Sequence, residues 1–548
     1  MVAGLTMQIA VAGSSETNKA TEKATAPVLS PENPDFVQYH EDKIHSQSTA
    51  SVKKDKKGFM PASVDLNYLS DISTTGISAP AYYDLRTLNK VTSVKDQGEE
   101  GVCWVFATFA SLESYLMPGE SRDFSENNMK NLLSSAYPEG FDCEPDEGGN
   151  PLMSTAYLAR WSGPVDETDD PYSIYSGESP QDLPVQKHVQ NVLFIPDRKS
   201  PLDNDEIKSA ILQYGVLCTS MYFDDACFSP TRYSHYYSGP SISDHAVSIV
   251  GWDDKFSRDN FSIIPPGDGA FIVKNSWGTG WGDNGYFYVS YYDSNIGTNN
   301  AVFTAETTEN YKKIYQYDPL GWIQSVGYDS PTAWCANVFT AKTDETLEAV
   351  SFYAADSNCD YEIYIYIDPE SGPVREEGPA FSKSGTIGTA GYHTVPLGSE
   401  VQLGAGQKFS VVLKLTTPYC SYPVAVETPF EGFSSKATAN LGESFVSEDG
   451  NTWEDINVYY PDSNICIKAF TDSRSIPVFP GYTNPPTDLD RDGLYEDING
   501  NGILDFDDVV AYYDNMEWIE ENVPVELFDY NNNGLIDFDD VVKLYDML

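Results

Sequence analysis

The sequence predicts a multidomain protein: an α+β region of two lobes, then an all-β sandwich, then a small α-helical module. Three observations carry this expectation. Between residues 80 and 305 helical periodicity comes first and strand patterns follow, the segregation of an α+β fold. From 311 to 473 the pattern shifts to short runs of period two, separated by turn residues. Near the C-terminus the block from Asp497 to Val510 recurs about 32 residues later, from Asp529 to Val542.

A chain of 548 residues exceeds what one core serves. Its 83 acidic against 33 basic residues leave a formal net charge of −50, which argues against nucleic acid or an anionic membrane as partner. The acidity suits a soluble surface, calcium binding or a salty medium. Eight cysteines do not make a disulfide scaffold in so long a chain, and none has zinc-ligand spacing, although Cys218 and Cys227 are near enough to pair. No run of about 18 apolar residues occurs, so no membrane span is expected.

In order, residues 1–79 read as a signal remnant and pro-segment. Met1 to Ala12 is mildly apolar and ends in small residues like a secretory signal, without a basic start. Residues 13–57 are polar and aperiodic, expected to stay unfolded alone, with Lys53 to Lys57 a solvated run. Gly58-Phe59-Met60-Pro61 and residues 64–69 add apolar anchors. The 80–305 region places helices at 103–116, 125–133, 151–161 and 203–214, and strands at 216–222, 245–251, 270–275 and 285–292. The sandwich, 311–473, offers strands at 347–355, 361–367, 408–415 and 465–470. A proline-rich stretch, 474–487, reads as a semi-extended linker before the module at 488–548.

Each C-terminal repeat sets oxygen-bearing side chains at loop positions 1, 3, 5, 9 and 12 with glycine at 6, a pattern that can wrap a calcium ion. These are Asp497, Asn499, Asn501, Asp505 and Asp508 with Gly502, then Asp529, Asn531, Asn533, Asp537 and Asp540 with Gly534. Each loop leads into a helix, at 509–515 and 541–548. The alternative is a pair of acidic solvated turns. Asp at position 12 and the lack of a preceding helix depart from an EF-hand, and the pair resembles a dockerin of type I-like form. That resemblance implies two Ca²⁺ sites and a cohesin-like domain as partner. Asp488, Asp490 and Asp492 before Gly493 suggest a weaker third loop.

The stretch 96–106 delivers Cys103 to the first position of an amphipathic helix, where partial positive charge and unpaired N–H groups favour a thiolate. The competing reading is a buried structural cysteine. A nucleophilic thiol needs a base and a group that orients the base. Of six histidines only His245 opens an apolar strand; His40 and His45 fall in the pro-segment, His188 and His235 in polar connections, His393 in the sandwich. Asn275, ending a strand, is placed to accept from an imidazole, and Trp277 to shield that bond.

These blocks, with Tyr83 to Arg86 and Val94 to Gly98 ahead of them, resemble a papain-like cysteine peptidase over residues 80–304. The resemblance implies a Cys103 thiolate paired with protonated His245, Asn275 as orienter, and an oxyanion hole from Gln97 and the Cys103 N–H. It also implies that Gly148, Gly149 and Trp277 face an extended peptide substrate, with no cofactor for catalysis. Glu100-Gly101-Val102 departs from the family signature, which removes a disulfide and leaves Cys143 without its usual mate. The pro-segment also lacks the long charged helix of many relatives. Residues 337–341 and 347–353 resemble the lectin-like domain attached to some prokaryotic peptidases; carbohydrate is its implied ligand, although core packing accounts for the same aromatics. The expected protein is a secreted or surface-associated endopeptidase acting on protein or peptide substrates, made as a zymogen. The competing class is a catalytically inactive adhesion or assembly protein.

Overall fold

The computed structural model describes residues 26–47, 57–72, 79–370, 372–473, 476–489 and 494–548. The signal-like stretch 1–12, most of the lysine run, and Asp490 and Asp492 of the third acidic loop lie outside them. Seven α-helices occur among the described residues: α1 (Pro34–Gln47), α2 (Cys103–Leu116), α3 (Glu126–Leu132), α4 (Pro151–Ala159), α5 (Asp205–Tyr214), α6 (Phe506–Asn522) and α7 (Phe538–Asp546).

The helical lobe is built around α2, whose residues are buried from Cys103 through Ser114. A helix apolar on every side belongs in a core. Asn150 caps α4 by accepting from the N–H groups of Leu152 and Met153, and Pro151 stands at the first helical position. The strand lobe runs antiparallel through Leu217–Met221, His245–Asp253, Ala270–Lys274 and Tyr286–Ser290. His245 sits opposite Met221, so its side chain starts at the sheet's end beside α2.

The sheet does not stop at the lobe. Asn191–Ile195 pairs on one edge with Thr298–Phe303 and on the other with Gly391–Leu403, joining Leu193 to Gly391 and Asn191 to His393. One 13-stranded sheet therefore passes from the first region into the second. There Glu345–Ala354 and Ile467–Ser473 extend it. A six-stranded sheet packs across it, and the core between them holds Leu347, Val350, Phe352, Ile363, Phe409 and Leu413. Cys359–Ile367 keeps the alternating burial of a half-exposed strand, whereas Glu345–Ala354 is buried almost throughout because both faces are covered.

The pro-segment differs most from expectation. Val28–Leu29 adds to the sandwich by pairing with Val326 and Gly327, and α1 follows. Phe36 of α1 is fully buried against Phe430 and Phe433, and His40 packs on the same two rings. A short helix with so few apolar residues gains its stability from this docking rather than from propensity. Further on, the Tyr68 hydroxyl donates to Ala355 O, and Ser70 gives both its N–H and its hydroxyl to Asp356.

In the C-terminal module α6 and α7 enclose Ile498, Val509, Tyr512, Phe528, Val541 and Leu544. Ile476 and Phe479 of the proline-rich stretch are buried in the same core, with Phe479 against Trp518 and Phe528. Asp505 and Asp537 cap their helices in matched capping boxes with Asp508 and Asp540. All eight cysteines are free thiols, so Cys218 and Cys227 do not pair and Cys143 stays a buried thiol.

Candidate active site

Cys103 opens α2 after Val102, whose backbone is non-helical, and its thiol is completely buried. Its Sγ accepts from two backbone N–H groups, Ala246 at 3.2 Å and Gly58 at 3.3 Å. His245 leaves the strand beside it. Its Nε2 bonds Asn275 Oδ1 at 2.8 Å, and its Nδ1, also buried, makes no hydrogen bond among the described residues. Asn275 Oδ1 also accepts from the Ser276 N–H at 2.9 Å, which fixes the carboxamide. The Trp277 ring stacks on the imidazole, centroids 4.7 Å apart and 24° from parallel.

Gln97 is fully buried beside the thiol turn. Its Nε2 donates to Glu100 O at 2.7 Å, and its Oε1 accepts from the Ser276 hydroxyl at 2.5 Å. Sequence reasoning passed over Ser276, whose place directly after Asn275 was its signal. Glu100, where the family signature is lost, pairs with Lys130 Nζ at 3.0 Å and accepts from the Tyr172 hydroxyl at 3.0 Å. An ion pair thus braces the turn from which the sequence lacks the usual cysteine.

The cleft over this thiol is filled by the chain's own residues. Gly149 N–H donates to Gly58 O at 3.0 Å, and Gly149 O accepts from the Met60 N–H at 2.9 Å, a parallel bridge to Phe59. The Phe59 N–H donates to Asp244 O at 3.1 Å. Lys57 Nζ pairs with the carboxylate of the same residue, Asp244 Oδ2, at 2.6 Å. Glycine is required at two of these points: a Cβ on Gly58 would come within 1.9 Å of Gly101 O, and one on Gly149 within 2.4 Å of the Trp104 ring. Gly148, at φ +114°, turns the chain into this contact.

Enclosure sets the protonation states. Burial pushes the Cys103 thiol up to about 12, against the opposing pull of its N–H donors. Burial also lowers His245 to about 4, despite the bond to Asn275. In this closed arrangement burial therefore works on both groups against the thiolate–imidazolium pair that the resemblance implies, and opposes the pull of the helix terminus. Behind it, Lys95 ties together Glu113, Asp123 and Glu126, and burial raises Glu126 to about 8 and lowers Lys274 to about 8.

The family model of papain family cysteine proteases matches residues 79–306, and that of the lectin-like domain matches 314–471. Residues 79–306 are a papain-family cysteine protease domain. The protease is 28% identical over 239 residues to a cysteine protease of Blomia tropicalis, covering 42% of this chain and 67% of that protein. It is 30% identical over 242 residues to cysteine proteinase 15A of Pisum sativum, covering 42% and 63%. The chain thus spans about two thirds of these relatives' length. Among solved structures, the cysteine protease and lectin-like domains of Cwp84, a surface layer associated protein of Clostridium difficile, superpose with a TM-score of 0.70. Identity is 26%, over 82% of this chain and 99% of that one. Cwp84 after propeptide cleavage superposes at 0.62 with 28% identity, over 72% and 99%.

The C-terminal loops carry a different chemistry. Asp497 accepts from Asn501 and Gly502, and Asp508 from Asn499 and Asp505; Asp529 and Asp540 repeat these bonds with Asn533, Gly534, Asn531 and Asp537. Asn499 Oδ1 accepts from Asn501, and Asn533 donates to Asp537. Asp497, Asp508 and Asp540 are fully buried, and no ion pair among the described residues reaches them or Asp529. No group of three His, Cys, Asp or Glu side chains stands ready-made as a metal cluster among the described residues. The donors mix carboxylates with carboxamides, all oxygen, and buried carboxylates without a cation are costly. Such a set fits Ca²⁺.

Proposed function

We propose that the chain is a secreted or surface-associated cysteine endopeptidase held latent by its own residues 57–61. The observation that carries this is the extended pairing of Gly58–Met60 on Gly149, directly across Cys103 and its His245–Asn275 partners. Peptide backbone already lies where a substrate would lie, but it runs parallel to the glycine strand. Once the segment leaves, water re-enters and the desolvation that opposes the charged pair of Cys103 and His245 is relieved. Nε2 is committed to Asn275, so Nδ1 is the nitrogen that takes the thiol proton and later protonates the leaving amine. Cys103 attacks the carbonyl carbon, its oxygen takes the charge toward the Cys103 N–H and the Gln97 amide, and water completes hydrolysis.

The test is labelling by an epoxide-type thiol reagent after removal of the pro-segment. Wild type should label and cleave peptides, and Cys103→Ser should do neither. A processed wild-type chain that neither labels nor cleaves would end this reading in favour of the adhesion protein.

The C-terminal module supports a tether. We infer that its two loops bind Ca²⁺, through Asp497, Asn499, Asn501, Asp505 and Asp508 and through Asp529, Asn531, Asn533, Asp537 and Asp540. Its outer face is apolar and duplicated: Ile503, Phe506, Val510 and Tyr513 are exposed, and so are Leu535, Phe538, Val542 and Tyr545 at the same places in the second repeat. Phe506 meets Tyr545, and Tyr513 meets Phe538, each with centroids 6.3 Å apart and the rings near perpendicular. Exposed apolar surface of this extent marks a protein-binding face, and a cohesin-like domain is the partner that the dockerin resemblance implies. For the lectin-like domain carbohydrate remains the candidate ligand, carried by its family match alone. Pull-down by an isolated cohesin-like domain in Ca²⁺ but not in chelator tests the tether.

A further inference from the structure

The segment across the cleft does more than cover Cys103, because Gly58, whose N–H meets the thiol, divides it. Phe59 and Met60 follow Gly58 along Gly149, the side that takes the acyl half of a peptide, with the Phe59 N–H on the Asp244 carbonyl; Lys57 precedes Gly58 and sends its ammonium to the Asp244 carboxylate, next in sequence to the histidine that serves the leaving amine. The acceptors that meet the Lys57 ammonium there among the described residues are of different kinds. Asp244 Oδ2 is 2.6 Å away, Phe223 O is 3.0 Å away, and the Tyr222 ring presents its face at 5.5 Å. The other carboxylate oxygen, Asp244 Oδ1, accepts from the Phe223 N–H at 2.9 Å, so the acid is aimed before any cation arrives. Phe223 is itself buried, and its ring packs edge-on against Trp277 with centroids 4.9 Å apart. The acceptors are therefore fixed to the wall of the active site.

We propose that Asp244, the Phe223 carbonyl and the Tyr222 ring form a cation-selective subsite on the leaving-group side of Cys103, so that the protease prefers substrates with lysine or arginine immediately after the scissile bond. The proposal rests on the peptidase reading above. In the latent chain Lys57 occupies this subsite in place of a substrate side chain. A charged hydrogen bond to a half-buried carboxylate, supplemented by a carbonyl and a ring face, discriminates more strongly than an exposed ion pair. A glutamate at the same place would face Asp244 and be rejected.

The test uses the full chain with its pro-segment removed by limited proteolysis, and quenched peptides that differ only in the residue after the scissile bond. Lysine and arginine peptides should be cleaved with kcat/KM about tenfold above the alanine peptide, and the glutamate peptide should be slowest. In Asp244→Asn the lysine-to-alanine ratio should fall to about one whatever happens to the absolute rate, since each ratio is internal to one protein. Equal rates for all four peptides in wild type, or an unchanged ratio in Asp244→Asn, overturn the subsite and leave the peptidase reading standing. Cleavage of none of them by a chain whose Cys103 accepts the epoxide label removes the peptidase reading and the subsite with it. A second measurement needs no turnover: in the unprocessed chain, iodoacetamide should label Cys103 faster in Lys57→Glu and Lys57→Met, whereas Lys57→Arg should stay near wild type. Equal labelling in all three variants overturns cation selectivity.

Discussion

Gly58→Ala should open the latent protease. The new Cβ would stand 1.9 Å from Gly101 O, 2.0 Å from its carbonyl carbon and 2.5 Å from its Cα, all backbone atoms with no rotamer to yield. Relief requires the segment to retreat on the order of 1 Å, and overpacking of this kind costs about 1–3 kcal/mol. The retreat also breaks the Gly149-to-Gly58 bond at 3.0 Å, worth about 1 kcal/mol net. A total of about 2–4 kcal/mol against the closed state raises the open population by between one and three decades. The assay is the rate of iodoacetamide modification of Cys103 in the full chain, read by mass spectrometry of its peptide. All eight thiols are buried, so slow wild-type labelling reports opening. Gly388→Ala, where a Cβ meets nothing within 4 Å, should match wild type. Labelling of Gly58→Ala at the wild-type rate would refute the latch.

Three further outcomes are expected. Asn275→Ala should lower kcat of the processed protease about a hundredfold with little change in KM, because the His245 ring loses the bond that orients it; a change confined to KM would contradict an orienting role. Burial raises Asp197 from its ordinary range to about 7, opposed by the Asn299 N–H at 2.8 Å. A carboxyl with a raised folded value stabilises the fold below its unfolded pKa, and that contribution is lost as pH climbs through 7; Tm should fall between pH 4 and 7.5, and Asp197→Asn should flatten the fall. Chelation should speed amide exchange across α6 and α7, where Asp508 and Asp540 face like charges, while exchange in α2 stays unchanged; identical exchange in Ca²⁺ and in chelator would remove the calcium reading.

How far the sequence could be read follows the range of the interactions. Helix α2 matches its expected bounds, and the strand at His245 begins on the expected residue, because a turn before Cys103 and an apolar run after His245 are local signals. Asn275 and Trp277 come together with His245 because they follow one strand end. Other features depend on partners distant in sequence. Helix α1 carries few apolar residues, and the rings that stabilise it, Phe430 and Phe433, lie nearly 400 positions away. Gly58 looks like an ordinary turn residue until Gly101 is seen against it. The shared sheet hangs on Gly391 to His393 meeting Asn191 to Leu193, a pairing between regions whose patterns differ. Asp244 carries no signal in the sequence, because adjacency to His245 has no chemical meaning until Lys57 is placed beside it.

If residues 57–61 hold the protease latent as proposed, these distant contacts give the lectin-like domain a part in that latency. The segment that covers Cys103 is short, but the chain before it is anchored through Val28–Leu29 on the strand at Val326, through the Tyr460 hydroxyl donating to Pro27 O, and through Phe36 in its ring cage. The chain after it is anchored by Ser63 on Ile323 O, and by Tyr68 and Ser70 on Ala355 and Asp356. The partners that hold the segment at these points, Ile323, Val326, Ala355, Asp356, Phe430, Phe433 and Tyr460, all lie beyond residue 311, outside the protease domain. Anchoring at both ends raises the effective concentration of residues 57–61 over the cleft, so weakening one anchor should loosen the latch without touching it. Phe36→Ala removes a fully buried ring at a cost of about 3–5 kcal/mol to the docked helix. Cys103 should then label several-fold faster in the unprocessed chain, while the processed protease, which lacks the segment, should keep its peptide kinetics. If Phe36→Ala leaves the labelling rate at the wild-type value although hydrogen exchange shows α1 undocked, latency resides in residues 57–61 alone and the lectin-like domain has no part in it.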